Sequence, residues 1–217
     1  MDCCSPGDSA FDRQFDARNA AGKLRAYRRN GPVGLTRALI DALAAGGLDG
    51  QTVLEIGGGV GAIHHELLRS GAVAALDVDA SRAYASVARQ EAERQGHADR
   101  ARYLVGDFVA LADEVEPADL VALDRVICCY ADMVALVGRS AALARRRYGV
   151  VYPRDSWLGR VGTSLLNVQL RLARSTFRVY AHRSADVEAI LAAQGFVRRL
   201  HRTTLVWQLM VYERHPA

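Results

Sequence analysis

The stretch Val53-Leu54-Glu55-Ile56-Gly57-Gly58-Gly59-Val60-Gly61-Ala62 holds the densest chemical information in the chain. An apolar, strand-like run enters a turn made almost wholly of glycine and then an amphipathic segment. Such a turn lets a ligand approach the backbone closely. The helix that follows it offers unpaired N–H groups and a partial positive charge. A nucleotide-like ligand over this turn is the expectation. The spacing Gly57-x-Gly59-x-x-Ala62 satisfies the fingerprint of a dinucleotide turn, where alanine can take the third glycine position. Glu55 sits just before the glycines; it suits a cationic ligand group and opposes a pyrophosphate by charge. Further carboxylates close the next apolar runs: Asp77 and Asp79, then Asp107 after Gly106, then Asp124. A carboxylate at a strand end can accept both hydroxyls of a ribose. Asp77 and Asp79 project the same way, because side chains along a strand alternate with period two.

Those carboxylates meet only if the elements bring strand ends together. Short apolar runs alternate with amphipathic stretches, which predicts an α/β fold with a mostly parallel sheet. Strands are expected at Thr52–Ile56, Val73–Val78, Arg102–Val105, Asp119–Leu123 and Tyr148–Tyr152. Helices are expected at Phe11–Arg29, Thr36–Ala45, Ala62–Arg69, Ser81–Gln95 and Met133–Arg147. Trp157–Ala173 reads as an arginine-studded helix inserted after the fifth strand. A helix at Ala185–Gln194 precedes two closing strands, Phe196–Leu200 and Leu205–Tyr212. Two successive strands without a helix between them predict an antiparallel hairpin.

Glu55-x-Gly57-x-Gly59-x-Gly61, the acidic end of strand two and Gly106-Asp107-Phe108 at the end of strand three together resemble class I S-adenosylmethionine-dependent methyltransferases of the small-molecule type. The likeness runs from about Thr36 to Tyr212. It implies a Rossmann-like, doubly wound seven-stranded sheet, mostly parallel with an antiparallel last strand. It also implies S-adenosyl-L-methionine as cofactor, with ligand roles for Glu55, Gly57, Gly59, Gly61, Asp79, Asp107, Phe108 and Asp124. In that likeness Asp107 accepts from the adenine amino group. Asp79 is preferred over Asp77 for the ribose, because Val78-Asp79-Ala80-Ser81 resembles the family's strand end and Ser81 reads as the next helix N-cap. An NAD(P)-dependent oxidoreductase and a non-catalytic cofactor-binding protein are the alternatives.

Methyl transfer is an in-line displacement that needs alignment and often a base. Tyr130 and Asp132, just after strand four, are base candidates. His64 and His65 open the helix after the glycine turn, and His182 follows the insert; these are candidates too. Cys128 and Cys129 read as packing residues. Strand four continues as Asp124-Arg125-Val126-Ile127, where nucleic-acid members of the fold often carry an Asn/Asp-Pro-Pro-aromatic motif. The departure argues against a base amino group as acceptor.

The chain has 217 residues and a net charge of +4. Of its 28 Lys+Arg only Lys23 is lysine. Alanine abundance points to codon bias behind the arginines, leaving at most a local preference for an anionic metabolite. Nucleic acid is not expected as a partner. The cysteine pairs Cys3-Cys4 and Cys128-Cys129 fit no zinc spacing, so no metal is expected. No apolar run suits a spanning helix and no basic-then-apolar leader is present, so cytoplasmic placement without a membrane is expected. Residues 1–35 are read as a helical lid and 36–217 as the cofactor-binding domain. An insert at 153–183, with Arg154, Arg160, Arg171 and Arg174, is read as a cap for the acceptor pocket. A monomer or homodimer is expected.

Overall fold

The computed structural model describes residues 15–215. The start of the expected first helix and Cys3-Cys4 lie outside the described residues. α1 (Ala17–Asn30) is capped by Asp16, whose side chain accepts from Asn19 N at 2.8 Å. α2 (Gly34–Ala44) leads to β1 (Thr52–Ile56), α3 (Ala62–Arg69), β2 (Ala74–Asp79), α4 (Arg82–Gln95) and β3 (Ala101–Val105). A single-turn helix, α5 (Phe108–Leu111), precedes β4 (Ala118–Asp124). Then come α6 (Met133–Ala142), β5 (Ala144–Pro153), α7 (Trp157–Leu172), α8 (Ser184–Ala193), β6 (Phe196–Thr203) and β7 (Trp207–Arg214).

The strands form one seven-stranded sheet in the order β3-β2-β1-β4-β5-β7-β6. All pairs among β1 to β5 are parallel, while β7 runs antiparallel to both β5 and β6. This is the Rossmann-like sheet with an antiparallel last strand that the sequence resemblance implied. Its central strands are buried on both faces, as parallel strands covered by helices must be. Leu54, Val121, Leu123 and Val150 pack on one side with Leu136, Val137 and Leu191. Val53, Leu120, Ala122 and Val151 pack on the other with Leu39, Leu43, Ile63 and Leu67.

Some expected boundaries are corrected, and the closing strand starts at Trp207 rather than Leu205. The helix expected over Met133–Arg147 stops at Ala142, and Ala144–Arg147 belong to β5. The helical pattern is overridden by long-range partners. Arg147 donates from Nε to Glu213 at 3.0 Å and from Nη1 to Leu43 O at 2.9 Å. Arg147 also pairs in register with Leu120, across an irregularity between Ala118 and Leu120. β2 lies one residue later than expected, which brings Asp79 into the strand itself. Ser81 caps α4, its Oγ accepting from Tyr84 N at 3.3 Å.

α1 is tied across the domain to α4. Arg28 Nε donates to Glu91 at 2.8 Å, and Arg94 and Gln95 converge on the same buried carboxyl. Burial would raise the Glu91 carboxyl, but the hydrogen bonds from Arg94, Gln95 and Arg28 outweigh it and hold the group down to about 2.

Candidate active site

β1 lies between β2 and β4, where the chain's winding direction reverses. Ligands of open α/β sheets bind in the crevice beyond the strand ends at such a point. A cavity of about 420 Å³ opens there. Its walls bring together Glu55, Gly57–Gly59, Asp79, Gly106-Asp107-Phe108, Asp124 and Tyr130. α1 and the segment after it close one side with Lys23, Tyr27, Pro32 and Thr36.

The glycine turn is held from β2. Gly58 N donates to Asp77 Oδ1 at 3.1 Å, and Gly59 N donates to Asp79 Oδ2 at 2.9 Å. Gly57 adopts φ +64°, in the left-handed region that a side chain disfavours. A Cβ there would also stand 2.7 Å from Val126 Cγ2. Gly61 is different. It caps α3 at φ +78° beneath the rings of His64 and His65, and it is not part of the cavity wall.

The two strand-two carboxylates separate clearly. Asp79 lines the cavity, whereas Asp77 is buried under the glycine turn, outside the cavity wall. Burial raises the Asp77 carboxyl, and the neighbouring Glu55 and Asp79 charges push it the same way.

Glu55 reaches the cavity from the end of β1 but is only 2% exposed. It accepts from His64 N at 3.0 Å and faces His64 Nδ1 at 2.6 Å. Burial pushes its carboxyl up to about 8, assisted by the charges of Asp124 and Asp79. Asp124 also stands at the cavity. Its Oδ2 accepts from Thr36 Oγ1 at 2.5 Å and from Arg125 Nη1 at 3.3 Å. Its Oδ1 is buried with no hydrogen-bond partner, and burial raises its carboxyl as well. Both carboxyls stand at the cavity wall, and burial disfavours the charged form of each.

The base candidates do not share one fate. Tyr130 lines the cavity, and its hydroxyl lies 2.9 Å from both Asp107 oxygens. His64 is fully buried between Glu55 and Tyr103, away from the cavity wall. Burial lowers its imidazole to about 3. His65 is buried against the rings of Tyr27 and His97. Asp132 is exposed and caps α6, accepting from Ala135 N at 2.9 Å. His182 donates from Nε2 to the carbonyls of Ile127 or Tyr130, each at 3.0 Å. The structure thus brings Tyr130 to the site and leaves His64, Asp132, His65 and His182 in structural positions.

The arginines read as a cap are not brought to the cavity. Arg154, Arg171 and Arg174 are exposed, and among the described residues none from 153–183 lines it. The side chain of Arg160 lies outside the described ones. The insert instead props the rim: the Phe177 ring packs edge-on against Phe15 at 5.7 Å, and Tyr180 N donates to Cys128 O at 2.7 Å. Sequence reasoning missed Lys23, Thr36 and Arg125 as wall residues. Lys23 had one signal, as the only lysine. Thr36 had none, since its contact with Asp124 spans 88 positions.

Residues 53–147 match the family model described as a methyltransferase domain. That stretch of the chain is thus similar to a methyltransferase domain. The match spans the strands that build the glycine turn and the carboxylate cluster. It leaves α1, α7 and the closing hairpin outside. Among solved structures, the chain is similar to magnesium protoporphyrin IX methyltransferase from Synechocystis PCC 6803 with bound SAH. The identity is 22%, over 94% of this chain and 98% of that one, with a TM-score of 0.71. It is also similar to an O-methyltransferase family protein from Burkholderia thailandensis, at 16% identity over 94% and 62% of the two chains, TM-score 0.70. A third similar structure is geranyl diphosphate C-methyltransferase from Streptomyces coelicolor A3(2), at 14% identity over 92% and 84%, TM-score 0.67. These likenesses carry the fold. No curated protein matches the chain.

Proposed function

We propose that this methyltransferase moves the methyl group of S-adenosyl-L-methionine to a small-molecule acceptor bearing an anionic group. The observation that carries the reading is the meeting of Glu55, Asp79, Asp107 and Asp124, from four parallel strand ends, in one cavity around the glycine turn. Glu55 and Asp124, both at the cavity wall, are the carboxyls that meet the ammonium end of that cofactor. Asp79 holds the ribose hydroxyls. Asp107 and Phe108 hold the adenine ring. When bound, S-adenosyl-L-methionine supplies a methyl carbon on a sulfonium, open to in-line displacement.

The chain's own work is alignment, exclusion of water and proton removal. The lid read over residues 1–35 acts through its described part: Tyr27, buried in α1, lines the cavity. Tyr130, at the cavity wall, is the group assigned to take the acceptor's proton. Lys23 and Arg125 give the same cavity two cationic groups, which supports an anionic acceptor.

Calorimetric titration with S-adenosylhomocysteine tests the cofactor site. Metabolite fractions incubated with methyl-labelled S-adenosylmethionine test the transfer, with the labelled product identified by mass spectrometry. A chain that binds NADH but not S-adenosylhomocysteine contradicts the reading. Label that enters only RNA or DNA contradicts the small-molecule acceptor.

A further inference from the structure

α7 is amphipathic in the inverted sense. Its half-buried side carries Thr163 and Asn167, and Asn167 pairs with Val179 through Nδ2 to O at 2.7 Å and Oδ1 to N at 2.9 Å. Most of its described apolar residues face outward. Trp157 is 67% exposed, Leu165 62% and Leu172 80%, with Val161 and Val168 exposed between them. Their spacing places all five on one stripe of the helix. The β6–β7 turn extends the stripe. Val206 O accepts from Arg154 N at 2.8 Å, three residues before Trp157, and Leu205 beside it is 83% exposed. A contiguous apolar stripe of this kind marks a surface that something covers.

Charge selects the occupant. Residues 153–183 contain six arginines and a single acidic residue, Asp155. Arg154 stands exposed at one end of the stripe, and Arg171 and Arg174 at the other. A second copy of the chain would bring the same cationic surface to this face, with almost nothing to pair it. Anionic lipid headgroups supply both the missing counter-charge and an apolar layer for the stripe.

We propose that α7 and the β6–β7 turn seat this protein on an anionic bilayer, with the apolar stripe in the interface and the arginines on lipid phosphates. The attachment lies on the membrane and does not span it: among the described residues no helix is long and apolar enough to cross one. It also stands close to the cavity. Arg125, a wall residue, holds its guanidinium 5.3 Å from the ring centre of Trp207, and Trp207 pairs with Pro153 at the start of the insert. The inference rests on α7 and its charges, independently of the cofactor reading.

The test is co-sedimentation of the full chain with vesicles of equal parts phosphatidylcholine and phosphatidylglycerol, against pure phosphatidylcholine. Binding to the anionic vesicles, weakened by salt, is expected. Leu165→Glu with Leu172→Glu should lower the partition by roughly tenfold or more, and Arg171→Glu with Arg174→Glu should lower it on anionic vesicles. Both pairs lie on the exposed side of α7, and an unchanged thermal unfolding midpoint verifies the fold. A wild-type chain that stays in the supernatant overturns the proposal, as does binding indifferent to both pairs. A dimer in sedimentation equilibrium that Leu165→Glu with Leu172→Glu dissociates, without vesicle binding, assigns the face to a second copy instead.

Discussion

His64 Nδ1 lies 2.6 Å from Glu55 Oε2, with both side chains removed from solvent. The contact joins the end of β1 to the first turn of α3, on either side of the glycine loop. It explains why the histidine after that loop is structural. Its ring orients the carboxyl that faces the cavity, and its other nitrogen lies 3.2 Å from Tyr103 OH.

Removing one partner of a buried pair leaves the other without compensation. His64→Ala should lower unfolding free energy by about 2 kcal/mol, because the neutral Glu55 carboxyl loses its buried hydrogen-bond partner. Urea denaturation measures this. Unchanged stability with lost turnover would return His64 to a role in the reaction.

The pair also sets a pH window. Burial holds Glu55 up to about 8 and His64 down to about 3, so the folded pair keeps one proton between those limits. In the unfolded chain the ordinary values of 4.5 and 6.5 give two protons below 4.5, one between, and none above 6.5. Below 4.5 the unfolded state binds more protons, and stability falls as pH falls toward 3. Above 6.5 the folded state binds more, and stability falls as pH rises toward 8. The pair's contribution is therefore greatest between 4.5 and 6.5. The difference in urea midpoint between wild type and Glu55→Gln with His64→Gln should peak in that window. A difference that keeps rising to pH 8 contradicts the assignment.

Asp79 and Asp77 should behave oppositely. Asp79→Ala removes the carboxylate at the cavity and should weaken S-adenosylhomocysteine binding by about tenfold or more, a loss of roughly 1.4 kcal/mol or more. Asp77→Asn keeps the oxygen that accepts from Gly58 N and should leave affinity within about twofold. Calorimetry on both variants checks the pair; the reverse pattern moves the ribose site to Asp77.

Tyr130→Phe should lower kcat by about 100-fold with little change in the KM for S-adenosylmethionine. Asp132→Ala should cost only an N-cap, about 1 kcal/mol in stability, with turnover kept. Equal kcat values for Tyr130→Phe and wild type would remove Tyr130 from proton transfer.

Gly57→Ala forces a side chain onto φ +64°, with its Cβ 2.7 Å from Val126 Cγ2. S-adenosylhomocysteine affinity should fall by about tenfold, and Val126→Ala in the same chain should recover part of it. Full affinity in the single variant would show that the loop yields without cost.

Local chemistry made much of this architecture legible. Glycine's access to positive φ and the strand-like run before it place β1 and α3 at the residues expected, Thr52–Ile56 and Ala62–Arg69. Ser81 announces α4, because a hydroxyl there meets the unpaired N–H groups of a helix start. The carboxylates at the strand ends were readable for a similar reason: strand ends in a parallel sheet converge on one edge whatever their helices do. What a neighbour in space decides was not readable. The stretch Ala144–Arg147 looks helical in isolation, yet Glu213 and the carbonyl of Leu43 draw Arg147 into β5. Thr36 becomes the partner of Asp124 only after the fold closes 88 positions. His64 has the residue type of a base, but packing turns it under β1, where burial holds it neutral. α7 reads as an arginine-studded insert, but only the tertiary structure shows that its apolar stripe faces outward. Periodicity and turn chemistry act within a few residues and so are written in the chain. The face that an element buries depends on surfaces built from distant segments, and only the assembled fold determines it.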